Sequence, residues 1–443
     1  MILTTALAAF LLSAHAASPA ALPDLAIESH KLANGLTVIL HEDHSSPIVA
    51  VNTWYSVGSK NEEAGRTGFA HLFEHYMFEG SAHAAAGEYF NKIFGMGGDT
   101  NANTTNDRTD YFAVVPSENL EEVLRQEADR MGFLNIDGTA GLDKQRHIVK
   151  NEKRLRENQP YGGAWEGINT TTWDKGHPYS WPVIGSMEDL GAASLEDVKK
   201  FHDSYYLPNN AVLVISGDQD NAATLLLVNK WYGTIPKGPA PPALKMPPIS
   251  TTPGRRELTL EDDKAQMPLL LLSYRIPGKG KPGWQEVSVA AQILGGGRSS
   301  RLVQSLQYDK RLVLSVSASV MGLAEEDILL IEAMPAPGVQ MKAVEDAIRA
   351  QLDAFAAHGP SEQEMARAKA GIRTATLNAL QTAANVAAEL AEGQALFNDP
   401  AYVLTALGTI SEMPRANPQD AAKRLLTPSN TAVITIQPSG GSK

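Results

Sequence analysis

Two histidines and a glutamate fall within five residues, His71-Leu72-Phe73-Glu74-His75. On a helix, residues i and i+4 lie one above the other, about 6 Å apart along the axis at 1.5 Å rise per residue. Both imidazoles then face the same way and can grip one Zn²⁺. Glu74, three positions after His71, brings its carboxylate to that same face. The order His-x-x-Glu-His inverts the His-Glu-x-x-His arrangement and suits metal-assisted hydrolysis, with the acid handling the proton of water. Catalytic zinc usually takes three protein ligands and keeps its fourth position for water, so one more ligand must come from elsewhere.

Glu152 is the candidate for that ligand. It lies in Val149-Lys150-Asn151-Glu152-Lys153-Arg154-Leu155-Arg156, a helical stretch loaded with cations, and on chemistry alone Glu157 and the other acids of the region remain alternatives. His83 and His147 have no partner at ligand spacing and read as surface histidines. Gly295-Gly296-Gly297 lacks the Gly-Lys-Ser/Thr ending of a phosphate loop and reads as a tight turn. The absence of cysteine excludes disulfide scaffolds, thiol nucleophiles and thiolate metal sites. A net charge of -12 argues against a nucleic-acid binder, and the lack of His-rich tracts argues against a zinc store.

The elements that must position these groups are organised in two halves. Of the 443 residues, 43% are hydrophobic, enough for two or three domains with ample cores. Residues 1–13 form a short apolar run followed by Ala14-His15-Ala16, the pattern of a cleavable export signal (1–17), although its start carries no Lys or Arg. No later run reaches the roughly 20 apolar residues needed to span a bilayer. Pro and Gly cluster over 236–256, which reads as a linker between a domain at 25–235 and a second at 257–440. Leu207-Pro208-Asn209-Asn210-Ala211-Val212 is echoed 220 residues later by Thr427-Pro428-Ser429-Asn430-Thr431-Ala432, each copy behind a polar helix (194–205 and 418–426), which suggests a duplication. Strands are expected at 36–40 and 48–55, and helices at 68–79, 84–95, 120–134 and 142–156. Strands grouped with helices, without strict alternation, give an α+β fold.

Together these residues resemble the pitrilysin family of inverted zinc peptidases, which includes insulin-degrading enzyme and the mitochondrial processing peptidases. That family separates His-x-x-Glu-His from a distal Glu ligand by about 76 residues, and here residues 76–151 lie between His75 and Glu152. Gly68-Phe69-Ala70, Met77-Phe78-Glu79-Gly80-Ser81 and Tyr161-Gly162 extend the likeness, which runs from about His30 to the C-terminus. The resemblance implies two homologous α/β sandwich domains, each a mainly antiparallel sheet with helices packed on it, the second lacking the metal motif. It implies Zn²⁺ on His71, His75 and Glu152, Glu74 as general base for an attacking water, and peptide substrates. It further implies that a substrate strand adds to the edge formed by Gly98–Thr105, with Asn101 and Ala102 as the contact positions.

Two positions depart from the family pattern. Seven residues before the distal ligand the family usually has a second Glu, supporting the metal site, and here stands Gln145. Active members also supply an Arg and a Tyr, seven residues apart, from the second domain or a partner. By register those positions are Gln307 and Leu314, while Tyr308 and Arg311 have the wrong spacing and read as surface residues. A homologous subunit carrying the Arg/Tyr pair is therefore expected to complete the site as a heterodimer, in the periplasm or outside the cell. The alternative is a non-catalytic zinc-binding assembly subunit of the same fold.

Overall fold

The 220-residue echo in the sequence is an echo in backbone design. Pro208–Asn210 and Pro428–Asn430 are both single 3-10 turns. In each, the Asn side chain donates to the last turn of the preceding helix, Asn210 Nδ2 to Tyr205 O at 2.8 Å and Asn430 Nδ2 to Leu425 O at 2.7 Å. Each turn thus satisfies an orphan helical carbonyl and aims the chain into a buried central strand. The computed structural model describes residues 22–136, 138–247 and 254–439, and the expected export signal at 1–17 lies outside them.

The first sheet contains β1 (Ile27–Lys31), β2 (Thr37–Glu42), β3 (Ile48–Tyr55), β4 (Asp99–Thr104), β5 (Thr109–Pro116) and β6 (Ala211–Gly217). With it come α1 (Phe69–Tyr76), α2 (Glu88–Gly95), α3 (Leu120–Phe133), α4 (Thr139–Glu157), α5 (Ala164–Thr172), α6 (Met187–Ala192), α7 (Leu195–Tyr205) and α8 (Asn221–Tyr232). Residues 236–247 form no regular element, and 248–253 lie outside the described residues. The second sheet contains β7 (Arg256–Asp262), β8 (Leu269–Pro277), β9 (Val313–Val320), β10 (Glu326–Pro335) and β11 (Thr431–Pro438). Its helices are α9 (Trp284–Gly295), α10 (Met341–His358), α11 (Glu362–Ala379), α12 (Ala383–Phe397), α13 (Tyr402–Glu412) and α14 (Ala416–Leu425).

Strand order is β1-β2-β6-β3-β5-β4 in one sheet and β7-β11-β8-β10-β9 in the other. Apart from the extra β1 the orders correspond, and in each sheet one parallel pair (β2/β6, β7/β11) stands among antiparallel ones. The fold is α+β, two sheet-plus-helix domains, as the sequence implied.

Each sheet is covered on both faces, which explains why β6 is buried at every position. On one face of the first sheet Val38, Leu40, Val51 and Leu213 pack with Leu72, Phe73, Val123 and Val149 from the helices of that half. On the other face Ile39, Ala50, Trp54 and Val214 pack with Val386, Ala387, Leu390 and Ala391 of α12, which belongs to the second half. The exchange is reciprocal: Ile168 of α5 and Trp173, from the first half, cover Leu271, Leu330 and Ile434 of the second sheet. At the burial value of about 25 cal/mol per Å² of apolar surface, such crossed contacts bind the halves strongly to one another.

Candidate metal centre

The helix that carries His71, Glu74 and His75 has a built start. Gly68 adopts φ 86°, a left-handed conformation, and a Cβ there would come 2.7 Å from Ile184 O, so only glycine fits. The side chain of Glu62 caps the helix from outside, taking the N–H groups of Gly68 (3.0 Å) and Ala70 (2.8 Å). Both of its oxygens accept at the N-terminal end of the helix, and burial pushes its pKa up to about 8. Phe69, Leu72, Phe73 and Tyr76 anchor the apolar face of α1, and this leaves the His71–His75 face turned towards α4.

Helix α4 meets that face with a stripe about three turns long. Leu142, Gln145, Val149 and Lys153 are buried at helical spacing, and Glu152, seven residues after Gln145, falls on the same side. Oε2 of Glu152 lies 3.6 Å from Nε2 of His71 and 3.6 Å from Nε2 of His75. Donor atoms around a tetrahedral zinc at its usual bond lengths stand about 3.3–3.5 Å apart, so Glu152 stands close to the spacing of a shared ligand from each histidine. The ligand atoms of His71, Glu74 and His75 all lie within 4.8 Å of one another. The two rings meet edge to face with centroids 4.9 Å apart. Glu157 is turned away and pairs with Lys153 at 2.8 Å, so among the candidate acids it is Glu152 that joins the histidines.

The charges of this cluster pull on one another. The contact with His75, aided by His71 and the Arg156 guanidinium, holds the Glu152 carboxyl down at about 2. Burial and the neighbouring His75 push His71 down to about 4. Burial also opposes charge on His75, but the contact with Glu152 and the carboxylate of Glu74 outweigh it and raise its pKa. Burial raises the Glu74 carboxyl as well, against the pull of a hydrogen bond from the Thr104 hydroxyl.

Gln145 touches His75 on one side and Glu79 on the other. Its Oε1 is 3.2 Å from His75 Nδ1, and its Nε2 donates to Glu79 Oε1. Asn101 and Ala102 lie on β4, which among the described residues is an edge strand paired with β5 alone. Thr105 N–H donates to Arg108 O, and the antiparallel alternation counted from that pair turns the N–H of Ala102 outwards, away from β5. That N–H is taken by Asn101 Oδ1 at 2.9 Å. His83 is exposed and pairs with Asp129, and His147 is exposed on α4. Gly297, with φ 91°, turns the chain after α9, as expected of a tight turn.

Gln307 and Leu314 are bonded to each other, Gln307 Nε2 donating to Leu314 O at 2.9 Å, and neither lines the cavity beside the metal cluster. Leu314 and Tyr308 are both exposed. Sequence reasoning passed over three groups. Thr104 ends β4 against Glu74; Arg156, one turn after Glu152, grips Glu152 Oε1. Glu79 stands behind Gln145. The i,i+4 spacing of Glu152 and Arg156 was a visible signal; the other two depend on tertiary proximity. A cavity of about 690 Å³ opens next to the cluster, its wall including Thr104, Arg156, Trp165 and, from the second half, Met321 and Leu323. Tyr161 helps close the joint between halves, its N–H bonded to Asp262 at 2.6 Å and its hydroxyl to Met267 O at 2.9 Å.

Residues 37–175 match the family described as Insulinase (Peptidase family M16), and residues 192–372 match the Peptidase M16 inactive domain. The chain is 30% identical over 371 residues to the zinc protease PqqE of Helicobacter pylori, covering 82% of each protein. Among solved structures it is similar to a protease from Helicobacter pylori, with a TM-score of 0.87 and 27% identity, covering 94% of this chain and 100% of that one. The periplasmic protease PqqL of Escherichia coli shares the fold with a TM-score of 0.79 at 20% identity, and 95% of this chain spans 48% of that one.

Proposed function

This chain belongs to the insulinase family of M16 peptidases, and from that premise we propose that it is an exported zinc metalloendopeptidase subunit that hydrolyses peptides or unfolded segments. The observation that carries this reading is the meeting of His71 Nε2, His75 Nε2 and Glu152 Oε2, contributed by two helices, with the carboxylate of Glu74 beside them. Zinc bound there supplies Lewis-acid polarisation of the scissile carbonyl and of water at neutral pH. Glu74 takes the proton of the attacking water and hands it to the leaving amine, a role helped by burial, which raises its pKa towards the working range. Arg156 fixes one carboxylate oxygen of Glu152 and leaves the other for the ion. An extended peptide lies along β4, where the outward N–H of Ala102 exchanges Asn101 Oδ1 for a substrate carbonyl. Recognition through the main chain gives affinity with little sequence preference.

Gln307 and Leu314 leave the Arg/Tyr pair to a homologous partner, because Arg156 is committed to Glu152. The length of PqqL, about twice the span this chain covers, supports pairing of two such units. The apolar start of the sequence and the periplasmic location of PqqL support export. No helix among the described residues is long and apolar enough to cross a membrane.

The second reading is a non-catalytic assembly subunit, favoured by the match of residues 192–372 to an inactive domain. Glu74→Gln separates the two. In the enzyme, chelator-sensitive cleavage of an internally quenched peptide, with or without a homologous subunit, falls about 10²–10⁴-fold while zinc content is kept. In an assembly subunit the wild-type chain shows no zinc-dependent cleavage under either condition.

A further inference from the structure

The side chain of Gln145 is buried and touches two groups of fixed hydrogen-bonding character. On one side stands the carboxylate of Glu79, which only accepts, so the amide nitrogen must face it, as it does. The amide oxygen then faces His75 Nδ1 at 3.2 Å. An oxygen only accepts, so Nδ1 carries a ring proton, and the neutral ring then keeps its lone pair on Nε2, the atom 3.6 Å from Glu152 Oε2. The other histidine has no such support: Nδ1 of His71 is buried without a hydrogen-bond partner among the described residues.

Glu79 is well placed to act at one remove. It follows α1 by a tight turn, its N–H bonded to Tyr76 O at 2.9 Å, and its carboxylate is held by Lys144 Nζ at 2.7 Å. Gly141 places α4 directly against it, since a Cβ there would meet the Glu79 side chain at 3.6 Å, an ordinary van der Waals contact. Metal-binding histidines commonly donate their second N–H to a carboxylate or carbonyl, which fixes tautomer and ring orientation. Here a neutral amide occupies that place and the carboxylate lies behind it.

We propose that Glu79 is a positioning residue of the metal centre, acting through Gln145 to lock His75 in the tautomer whose Nε2 can bind a metal ion. This rests on the zinc reading given above. Without the carboxylate, the Gln145 amide is free to turn over and donate to Nδ1, which moves the ring proton onto Nε2 and blocks the ligand atom.

The test is the zinc affinity of the purified full chain, measured against a chromophoric chelator, for the wild type, Glu79→Gln, Glu79→Gln with Gln145→Glu, Lys144→Met and His75→Ala. Glu79→Gln is expected to weaken zinc binding about 10–100-fold. Adding Gln145→Glu restores it to within a few-fold, because a carboxylate now meets Nδ1 directly, and Lys144→Met leaves it close to wild type. Affinity unchanged in Glu79→Gln overturns the proposal, as does a loss in Lys144→Met equal to that in Glu79→Gln with no rescue at position 145, which marks a plain structural ion pair. If the wild type binds no zinc, the zinc reading falls and this proposal with it; if His75→Ala abolishes binding and Glu79→Gln does not weaken it, the proposal alone falls. Thermal melting of each variant identifies any that fail to fold, and for those the rescued double variant decides.

Discussion

Thr104, the last residue of edge strand β4, donates its hydroxyl to the carboxylate of Glu74. The strand that would hold a peptide and the group that would move the proton are therefore one mechanical unit. Thr104→Val keeps the shape and removes the donor. A hydrogen bond to a charged group is worth about 1.5–3 kcal/mol, so kcat should fall about 10-fold to 100-fold with zinc content unchanged. Steady-state kinetics on a quenched peptide, alongside metal analysis, checks this; an unchanged kcat means Glu74 does not depend on the strand.

If substrate pairs with β4, the outward N–H of Ala102 is a donor to it. Ala102→Pro removes that N–H without touching the pairing to β5, and proline is tolerated on an edge strand whose N–H faces outwards. KM is expected to rise several-fold while kcat and zinc content hold. Equal kinetics in the variant would place the substrate elsewhere.

Leu390 is fully buried, and it is a second-half residue packed on the first-half sheet. Leu390→Ala should cost about 2–5 kcal/mol. Because the contact crosses between halves, the loss should appear as one shifted transition in denaturant, followed both by far-UV circular dichroism and by tryptophan fluorescence. Two separated transitions in the wild type would show that the halves unfold independently.

A carboxylate away from the site sets part of the acid limit of stability. Arg301 forks onto Glu364 (2.7 and 2.8 Å), and this bond, with the Ser361 cap, holds the carboxyl down at about 2 against its ordinary 4.5. A depressed carboxyl stabilises the folded state above its unfolded pKa and loses that contribution as pH falls through its folded one. Between pH 4.5 and 2 about 1 kcal/mol should go, less than the shift alone implies because water screens the pair. Urea midpoints of the wild type should fall more steeply over that window than those of Glu364→Gln; parallel curves would remove the pair from the account.

Much of the site could be read in the sequence because its geometry is local. Spacing placed His71, Glu74 and His75 on one helical face, and two turns put Gln145 and Glu152 on one face of α4. Glu152 needed the family resemblance to be preferred over Glu157, since nothing in the spacing of α4 tells which acid meets α1. Thr104 and Glu79 were not legible, because each reaches its partner only after β4 and the end of α1 are packed. The fold divides the same way. The turn at Pro208–Asn210 and its copy at Pro428–Asn430 announced the duplication. The apolar run of α12, by contrast, shows that it is buried without showing that the surface it covers belongs to the other half.

The central claim is that two helices of this one chain present three donors to a single ion. Zinc stoichiometry after equilibrium dialysis tests it most directly, with the wild type compared to His75→Ala and Glu152→Ala. The expected result is one zinc per wild-type chain and its loss in both variants, each of which still melts cooperatively. A wild-type chain without zinc, or a Glu152→Ala chain that binds it as tightly as before, would contradict the account.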